Sequence, residues 1–357
     1  MKNNINIALA QLNPKVGDIK GNVAKLLKIR NDLGKNIDII VVPELYLTGY
    51  PIDDLVLRND FLELVENEIN KLAKLTEDGN AAIIIGSPRK DEGLLKNSVF
   101  VLDDGKIISV RDKHVLPNTG VFDEQRIFSP GSLSGPVKIR GILFGLPICE
   151  DIWTETVIEC LYETGAEIIL SINASPYSIK KSDQRMSVAV SRVLESKLPI
   201  IYLNRVGGQD ELVFDGASFC LNEQGKLTVQ LKDFEEQVLK IELNKTENSW
   251  KIKDNIQKIS SKTEALYKSL VVSVRDYVLN NGFPGVVLGM SGGIDSALVA
   301  AIATDALGPN LVKAVMMPSP YTSEESLVDA KLASSKLGIE YSYLEIENGM
   351  NTIDKIL

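Results

Sequence analysis

Three residues placed just after short apolar runs carry the sharpest chemistry in the sequence. They are Glu44 after IDIIVVP, Lys113 after KIISVRD and Cys149 after ILFGLPI. A thiol that attacks a carbonyl carbon needs a base for its proton and a cation beside the oxyanion that forms. The chain has one histidine, His114, so a carboxylate and a lysine are the residue types left for those two tasks. Glu44 and Lys113 supply them. The single histidine also excludes a zinc centre with paired histidines and an H-E-x-x-H protease, and a Ser-His-Asp triad would have to use His114. Taken singly, each residue has an ordinary reading: a cysteine as small core filler, a loop carboxylate, a solvated lysine. The three contexts together, PELYLTGY, KHVLPN and GLPICEDIW, point to chemistry. A helix expected to begin near Trp153 would place oriented N–H groups behind Cys149, which favours a thiolate.

Elements must hold these residues in place. Apolar runs at 5–11, 37–43, 81–87, 98–103, 106–111, 142–148, 168–173 and 199–204 read as buried strands rich in Ile, Val and Leu. Helical stripes at 23–33, 61–75, 154–165 and 183–197 lie between them. Alternating strands and helices with fully apolar strands predict an α/β sandwich with helix-covered sheets, and the β-like stretch 213–243, with its Gln-Gly turn, closes it. In such sheets chemistry gathers beyond the carboxyl ends of strands, where Glu44, Lys113 and Cys149 fall. The polar, lysine-rich stretch 244–262 reads as a linker or peripheral excursion, which divides the chain into 1–245, a linker at 246–262, and 263–357. After it come a helix at 263–281, a strand at 285–290, a helix at 295–307, a strand at 312–318, a helix at 324–337 and a strand at 340–346. A polar turn is expected at MNTIDKIL.

With Glu44, Lys113 and Cys149 in these contexts, residues 4–243 resemble the nitrilase (carbon–nitrogen hydrolase) superfamily, marked by a Glu-Lys-Cys triad on an α-β-β-α sandwich. The resemblance implies that Cys149 forms a thioester with an amide or nitrile, with Glu44 as general base and Lys113 stabilising the tetrahedral species. His114 has no part in that triad and reads as a polar loop residue. The stretches LPNTGVFDEQRIF and VGGQDELVFDGASF resemble the amidase domain of the glutamine-dependent NAD synthetase family. That resemblance implies free glutamine lying against Tyr50, Phe122 and Trp153, with Glu150 near its amino group and Ser175 and Lys181 at its other end. Thr119 and Lys181 depart from the family, which commonly has Tyr at the first position and often Arg at the second. A backbone contact at Thr119 leaves glutamine binding unchanged, whereas a side-chain contact would be lost. No tightly bound cofactor is expected in this half.

The run GVVLGMSGGIDSALVAA puts a glycine-rich loop between a strand and a helix start, where backbone N–H groups can cradle phosphate. It lacks the lysine of a Walker A loop. Gly292 and Gly293 permit close backbone approach, and Ser291 and Ser296 add hydroxyl donors. Asp295 is open to three roles: holding Mg²⁺, positioning the loop, or capping the helix. S-G-G-I-D-S resembles the PP-loop of ATP pyrophosphatases, which implies ATP contacts from Gly289, Met290, Ser291, Gly292, Gly293, Ile294, Asp295 and Ser296. The segment 316–339 resembles the adenosine side of NAD synthetases, with Met317 bordering adenine. The front of a doubly wound, Rossmann-like parallel sheet is the fold implied.

Together the resemblances imply ammonia made from glutamine in the first module and used in the second to amidate deamido-NAD through an adenylate, with ATP and Mg²⁺, in a homo-oligomer. Two other readings use the same residues: a stand-alone nitrilase-type amidase with a vestigial nucleotide-binding end, and a nucleotide-binding regulatory module without chemistry. Residues 263–357 hold about three of the strands of a doubly wound domain, so the expectation is a glutaminase-competent chain without a complete synthetase. The net charge of −9 argues against nucleic-acid or anionic-membrane partners. Apolar runs of about six to eight residues are far short of a membrane span. With Cys149, Cys160 and Cys220 too few for a disulfide scaffold or a four-cysteine metal site, a cytoplasmic protein is expected.

Overall fold

A computed structural model describes residues 4–118, 120–247 and 249–357. It has two compact units: one runs to Gly207 and resumes at Leu212–Lys262, and the other holds Gly208–Glu211 and Thr263–Leu357. The first begins with β1 (Asn4–Gln11), α1 (Ile19–Leu33), β2 (Ile39–Val41) and α2 (Asn59–Leu75). An antiparallel ladder of β3 (Ala82–Asp91), β4 (Leu94–Asp103) and β5 (Lys106–Asp112) follows. Next come β6 (Val137–Ile139), β7 (Ile142–Gly145), α3 (Glu155–Glu163), β8 (Ile168–Asn173), α4 (Lys181–Ser196) and β9 (Ile200–Asn204). A hairpin of β10 (Val206–Gln209) and β11 (Leu212–Asp215) leads to β12 (Phe219–Leu221), β13 (Leu227–Gln230) and β14 (Gln237–Lys245). The last strands of this unit are β15 (Trp250–Ile252) and β16 (Asn255–Ile256).

These strands form two sheets, ordered β15-β14-β1-β2-β3-β4-β5 and β16-β13-β12-β9-β8-β7-β6. Side chains alternate along each strand. In β1, Ile5, Ile7 and Leu9 enter the core between the sheets, while Ala8 and Ala10 face the cluster that includes Val23 and Leu26 of α1 and Val65, Ile69 and Leu72 of α2. In β8, Ile168, Leu170 and Ile172 enter the same inter-sheet core, and Ile169 joins Val157, Ile158 and Leu161 of α3 and Val193 of α4. The result is the expected α-β-β-α sandwich with its central strands buried on both faces; β5, expected as a buried strand, has no buried residue because it lies at the edge of its sheet. α1 begins earlier than its apolar stripe because Asp18 caps it, accepting from the Gly21 N–H at 3.0 Å. The expected turn in 213–243 is the one joining β12 to β13, where Asn222 Oδ1 accepts from the N–H groups of Gln224 (3.1 Å) and Lys226 (2.9 Å).

The stretch 246–262, expected as a linker or peripheral excursion, forms paired edge strands rather than a free linker. β15 pairs with β14, setting Lys245 opposite Trp250, and β16 pairs with β13. The Trp250 ring is 2 % exposed and its Nε1 donates to Glu167 Oε2 at 3.2 Å. Polar composition hid this because only Trp250 and Ile252 turn inward while their neighbours face water.

The second unit contains α5 (Lys262–Asn280), β17 (Val286–Gly289), α6 (Ile294–Leu307), β18 (Val312–Met316), α7 (Glu324–Leu337) and β19 (Glu340–Tyr343). Its strands are all parallel, in the order β17-β18-β19, and Ala300, Ala303, Ala314 and Ala330 lie in its core. Where a polar turn was expected, α8 (Glu347–Asp354) forms instead. Among the described residues no helix is long and apolar enough to cross a membrane. Replacing Trp250 with Ala should destabilise the first unit by about 3–5 kcal/mol, read from the urea midpoint of unfolding.

Candidate active site

Glu44, Lys113 and Cys149 lie just beyond β2, β5 and β7, and all three are buried. Gly86 of β3 makes room for the Glu44 loop: a Cβ there would sit 2.3 Å from Leu45 N and 2.7 Å from Pro43 O. The Lys113 ammonium donates to Glu44 Oε1 at 2.7 Å and to Glu124 Oε1 and Oε2 at 2.8 and 3.0 Å. Glu44 is held on all sides, with Asn97 Nδ2 on Oε1 and the Ala174 N–H on Oε2, both at 2.8 Å. Tyr50 donates its hydroxyl to Glu124 Oε1 at 2.9 Å. A second carboxylate therefore shares the lysine. The sequence reading missed Glu124, although it lies in the quoted stretch at 116–128; its signal was an acid between Phe122 and Ile127, in a segment that turns inward.

Burial alone would lower the Lys113 ammonium, but the Glu124 and Glu44 carboxylates outweigh it and hold it charged, well above the usual lysine range. Burial raises the Glu124 carboxyl, Lys113 pulls it back and Glu44 pushes it up. Cys149 opens a five-residue 3₁₀ turn, Cys149–Trp153, with φ at 47°, a strained value for a residue with a side chain. Its thiol is pushed well above the usual cysteine range, first by burial and then by the Glu44 charge, against the pull of Lys113. This corrects the expectation of a helix-favoured thiolate. The turn is short, α3 begins only at Glu155, and desolvation outweighs the N–H groups. Burial and the Glu44 charge therefore favour the thiol form, and Glu44 is the carboxylate whose charge acts most strongly on it.

Asp151 straps the site together. Its Oδ1 accepts from the N–H groups of His114 (3.0 Å) and Val115 (2.7 Å), and Oδ2 accepts from Ile148 N–H (3.0 Å). One buried carboxylate thus ties the segment after Lys113 to the residue before Cys149. Burial raises its pKa to about 6, against the lowering effect of those three N–H groups and Lys113. His114 itself is fixed by Nδ1 at 2.7 Å from Gly131 O, a loop contact as expected.

The other sequence-predicted residues divide into groups. Tyr50 and Phe122 belong to one apolar cluster with Phe214. Trp153 is half-buried with the Lys181 ammonium 4.1 Å above its ring centroid, a cation–π contact. Glu150 is half-buried on the Cys149 turn. Ser175 follows Ala174, and its Oγ accepts from Arg185 Nε at 3.0 Å. Arg185 also forms a buried pair with Asp215, at 2.8 Å. Thr119 lies outside the described residues.

In the second unit, the loop between β17 and α6 folds on its own hydroxyls. Ser296 Oγ lies 3.1 Å from Ser291 Oγ, accepts from Ser291 N–H at 3.2 Å and donates to Gly293 O at 2.9 Å. Gly292 has φ +83°, and a Cβ there would meet Ser326 O at 2.3 Å, so no larger residue fits. Met290 is buried, Ile294 exposed, and Asp295 stands in the first turn of α6. The Met317 methyl would lie 3.3 Å from a Cβ at Gly289, which places Met317 against the β17 end. Among the described residues no three metal-ligating side chains converge. A cation at Asp295 would take its other ligands from phosphate and water.

Comparisons with known proteins follow this division. Residues 6–252 match the carbon–nitrogen hydrolase family and residues 266–357 the NAD synthase family. The chain is 42 % identical over 359 residues to a glutamine-dependent NAD(+) synthetase of Rhodobacter capsulatus, covering all of this chain and 65 % of that protein. It is 37 % identical over 392 residues to the Thermotoga maritima protein of the same name, covering 97 % of this chain and 68 % of that one. The solved glutamine-dependent NAD+ synthetase of Acinetobacter baumannii, in complex with ADP, superimposes with a TM-score of 0.93 at 37 % identity, over 99 % of this chain and 67 % of that one. The chain thus spans about two thirds of its relatives' length, and just under that for the Rhodobacter protein.

The Asp151 strap makes a testable electrostatic prediction. A raised carboxyl pKa means that the folded state binds the proton more tightly than the unfolded one. The stability it lends is full below about pH 4 and is lost as pH rises through about 6. An asparagine in its place has no charge to bury. In urea titrations from about pH 4 to about 7, the stability difference between parent and Asp151→Asn should therefore shift by roughly 3 kcal/mol in favour of the variant.

Proposed function

Because the chain belongs to the glutamine-dependent NAD(+) synthetase family, with residues 6–252 matching its carbon–nitrogen hydrolase module, we propose that it hydrolyses glutamine to supply ammonia for an ATP-dependent amidation of deamido-NAD, and that residues 266–357 contribute the front of the ATP-binding unit rather than a complete synthetase. The observation that carries the reading is the buried Glu44–Lys113–Glu124 cluster, whose Glu44 and Lys113 charges act on the buried Cys149 thiol. Glu44 takes the thiol proton as sulfur bonds to the carboxamide carbon, and the Lys113 ammonium stabilises the oxyanion. Glu44 then gives the proton to the departing nitrogen, ammonia leaves, and a thioester remains. Water attacks the thioester, Glu44 takes the proton of the water, and glutamate is released with the thiol restored. Glu124 fixes the lysine by a second ion pair and is itself fixed by Tyr50.

Glutamine would lie along Tyr50, Phe122 and Trp153, with Glu150 at its amino group and Ser175 and Lys181 at its other end. In the second unit the S-G-G-I-D-S loop would bind the ATP phosphates through backbone N–H groups and the hydroxyls of Ser291 and Ser296, with Asp295 near the accompanying Mg²⁺. Adenylation of the acceptor carboxylate releases pyrophosphate, and ammonia displaces AMP. The small-molecule substrates, the net charge of −9 and three free cysteines support a cytoplasmic enzyme without nucleic-acid or membrane partners, and family membership supports a homo-oligomer.

Two measurements test the two halves. Ammonia release from glutamine should fall by roughly 10³-fold or more in Cys149→Ala, and retained release would overturn the assignment. ATP binding, followed by calorimetry with Mg²⁺, should weaken about tenfold in Ser296→Ala, the loss of one hydrogen bond to a charged phosphate.

A further inference from the structure

Asn97 lies on β4 opposite Pro88 and is 1 % exposed. Its side chain donates from Nδ2 to Glu44 Oε1 at 2.8 Å, and its main-chain carbonyl accepts from the Lys113 N–H at 2.8 Å. One residue therefore touches both members of the Glu44–Lys113 pair, the first by its carboxamide and the second by its backbone. Its Oδ1 has no hydrogen-bond partner, although it is buried. Buried polar atoms are nearly always paired, so an orphan next to a charged cluster calls for an explanation. The opposite amide orientation would set Oδ1 against Glu44 Oε1, oxygen against oxygen. The contact with Glu44 thus dictates the orientation, and the fold tolerates the unpaired acceptor to keep the donor on the carboxylate.

We propose that Asn97 is a positioning residue for the proton transfer: its carboxamide locks Glu44 in the orientation from which it takes the cysteine proton. Lys113 and Asn97 share Oε1. The Ala174 N–H holds Oε2, so the carboxylate cannot rotate without losing Asn97. The backbone contact to Lys113 survives any side-chain change, which separates orientation of the base from placement of the lysine. The inference rests on the reading of Glu44 as the base for Cys149.

Two variants test it. Asn97→Leu keeps about the same size and removes the donor, and Asn97→Ser leaves a hydroxyl too short to reach Glu44. Each is compared with the parent for folding by circular dichroism and gel filtration, for kcat and KM of ammonia release from glutamine, and for the rate of Cys149 alkylation by iodoacetamide. Alkylation also needs the thiol proton removed but does not need glutamine as substrate: sulfur bonds to the methylene carbon, iodide leaves, and Glu44 receives the proton. Loss of a hydrogen bond to a charged group should lower kcat and the alkylation rate roughly 10- to 100-fold, with KM within about threefold. A loss of less than about tenfold in both folded variants, a loss confined to KM, or failure of both variants to fold would each overturn the proposal, the last by making Asn97 purely structural. If the parent alkylates at Cys149 but releases no ammonia, the glutaminase reading fails while Asn97 is still judged by alkylation.

Discussion

The structure of the first unit depends on one constraint: three ionisable side chains, Glu44, Lys113 and Glu124, meet where water is excluded. Taking ions out of water costs several kcal/mol each, and the attraction between them offsets this only when every remaining donor and acceptor is also engaged. That condition explains the convergence of distant segments on the cluster. β4 supplies Asn97, the end of β8 supplies the Ala174 N–H, and the loop after β2 supplies Tyr50. Two sheets covered on both outer faces are what keep water out, and the apolar strand interiors are the means.

The same burial shapes the nucleophile. Desolvation and the Glu44 charge push the Cys149 thiol up, against the pull of Lys113. Asp151 serves the geometry by another route, using backbone N–H groups to tie the Lys113 and Cys149 segments together. The glycine-rich loop of the second unit is organised by hydroxyls instead. These hydroxyls satisfy each other and the backbone, in an arrangement that phosphate oxygens can replace.

Much of this was legible in the sequence because the signals are local. Strand runs flanked by polar turns located nearly every element, and α7 matches its expected range of 324–337. The triad residues stood out because each directly follows an apolar run. The segment 246–262 was misread for a physical reason: an edge strand needs only two inward residues, and composition averages them away. Glu124 and Asn97 were missed because each is an ordinary polar residue until the fold brings Asn97 to Glu44 and Glu124 to Lys113.

By itself, the sequence determined the layer order, the positions of Glu44, Lys113 and Cys149 beyond their strands, and the glycine loop of the second unit. These follow from periodicity and from residue types that nearest neighbours constrain. Only the tertiary structure decided that a second carboxylate shares the lysine, that Asn97 donates to Glu44, and that burial pushes the cysteine thiol up. Ionisation and orientation depend on burial and on partners that are distant in sequence, and both exist only once the sheets have closed over the site.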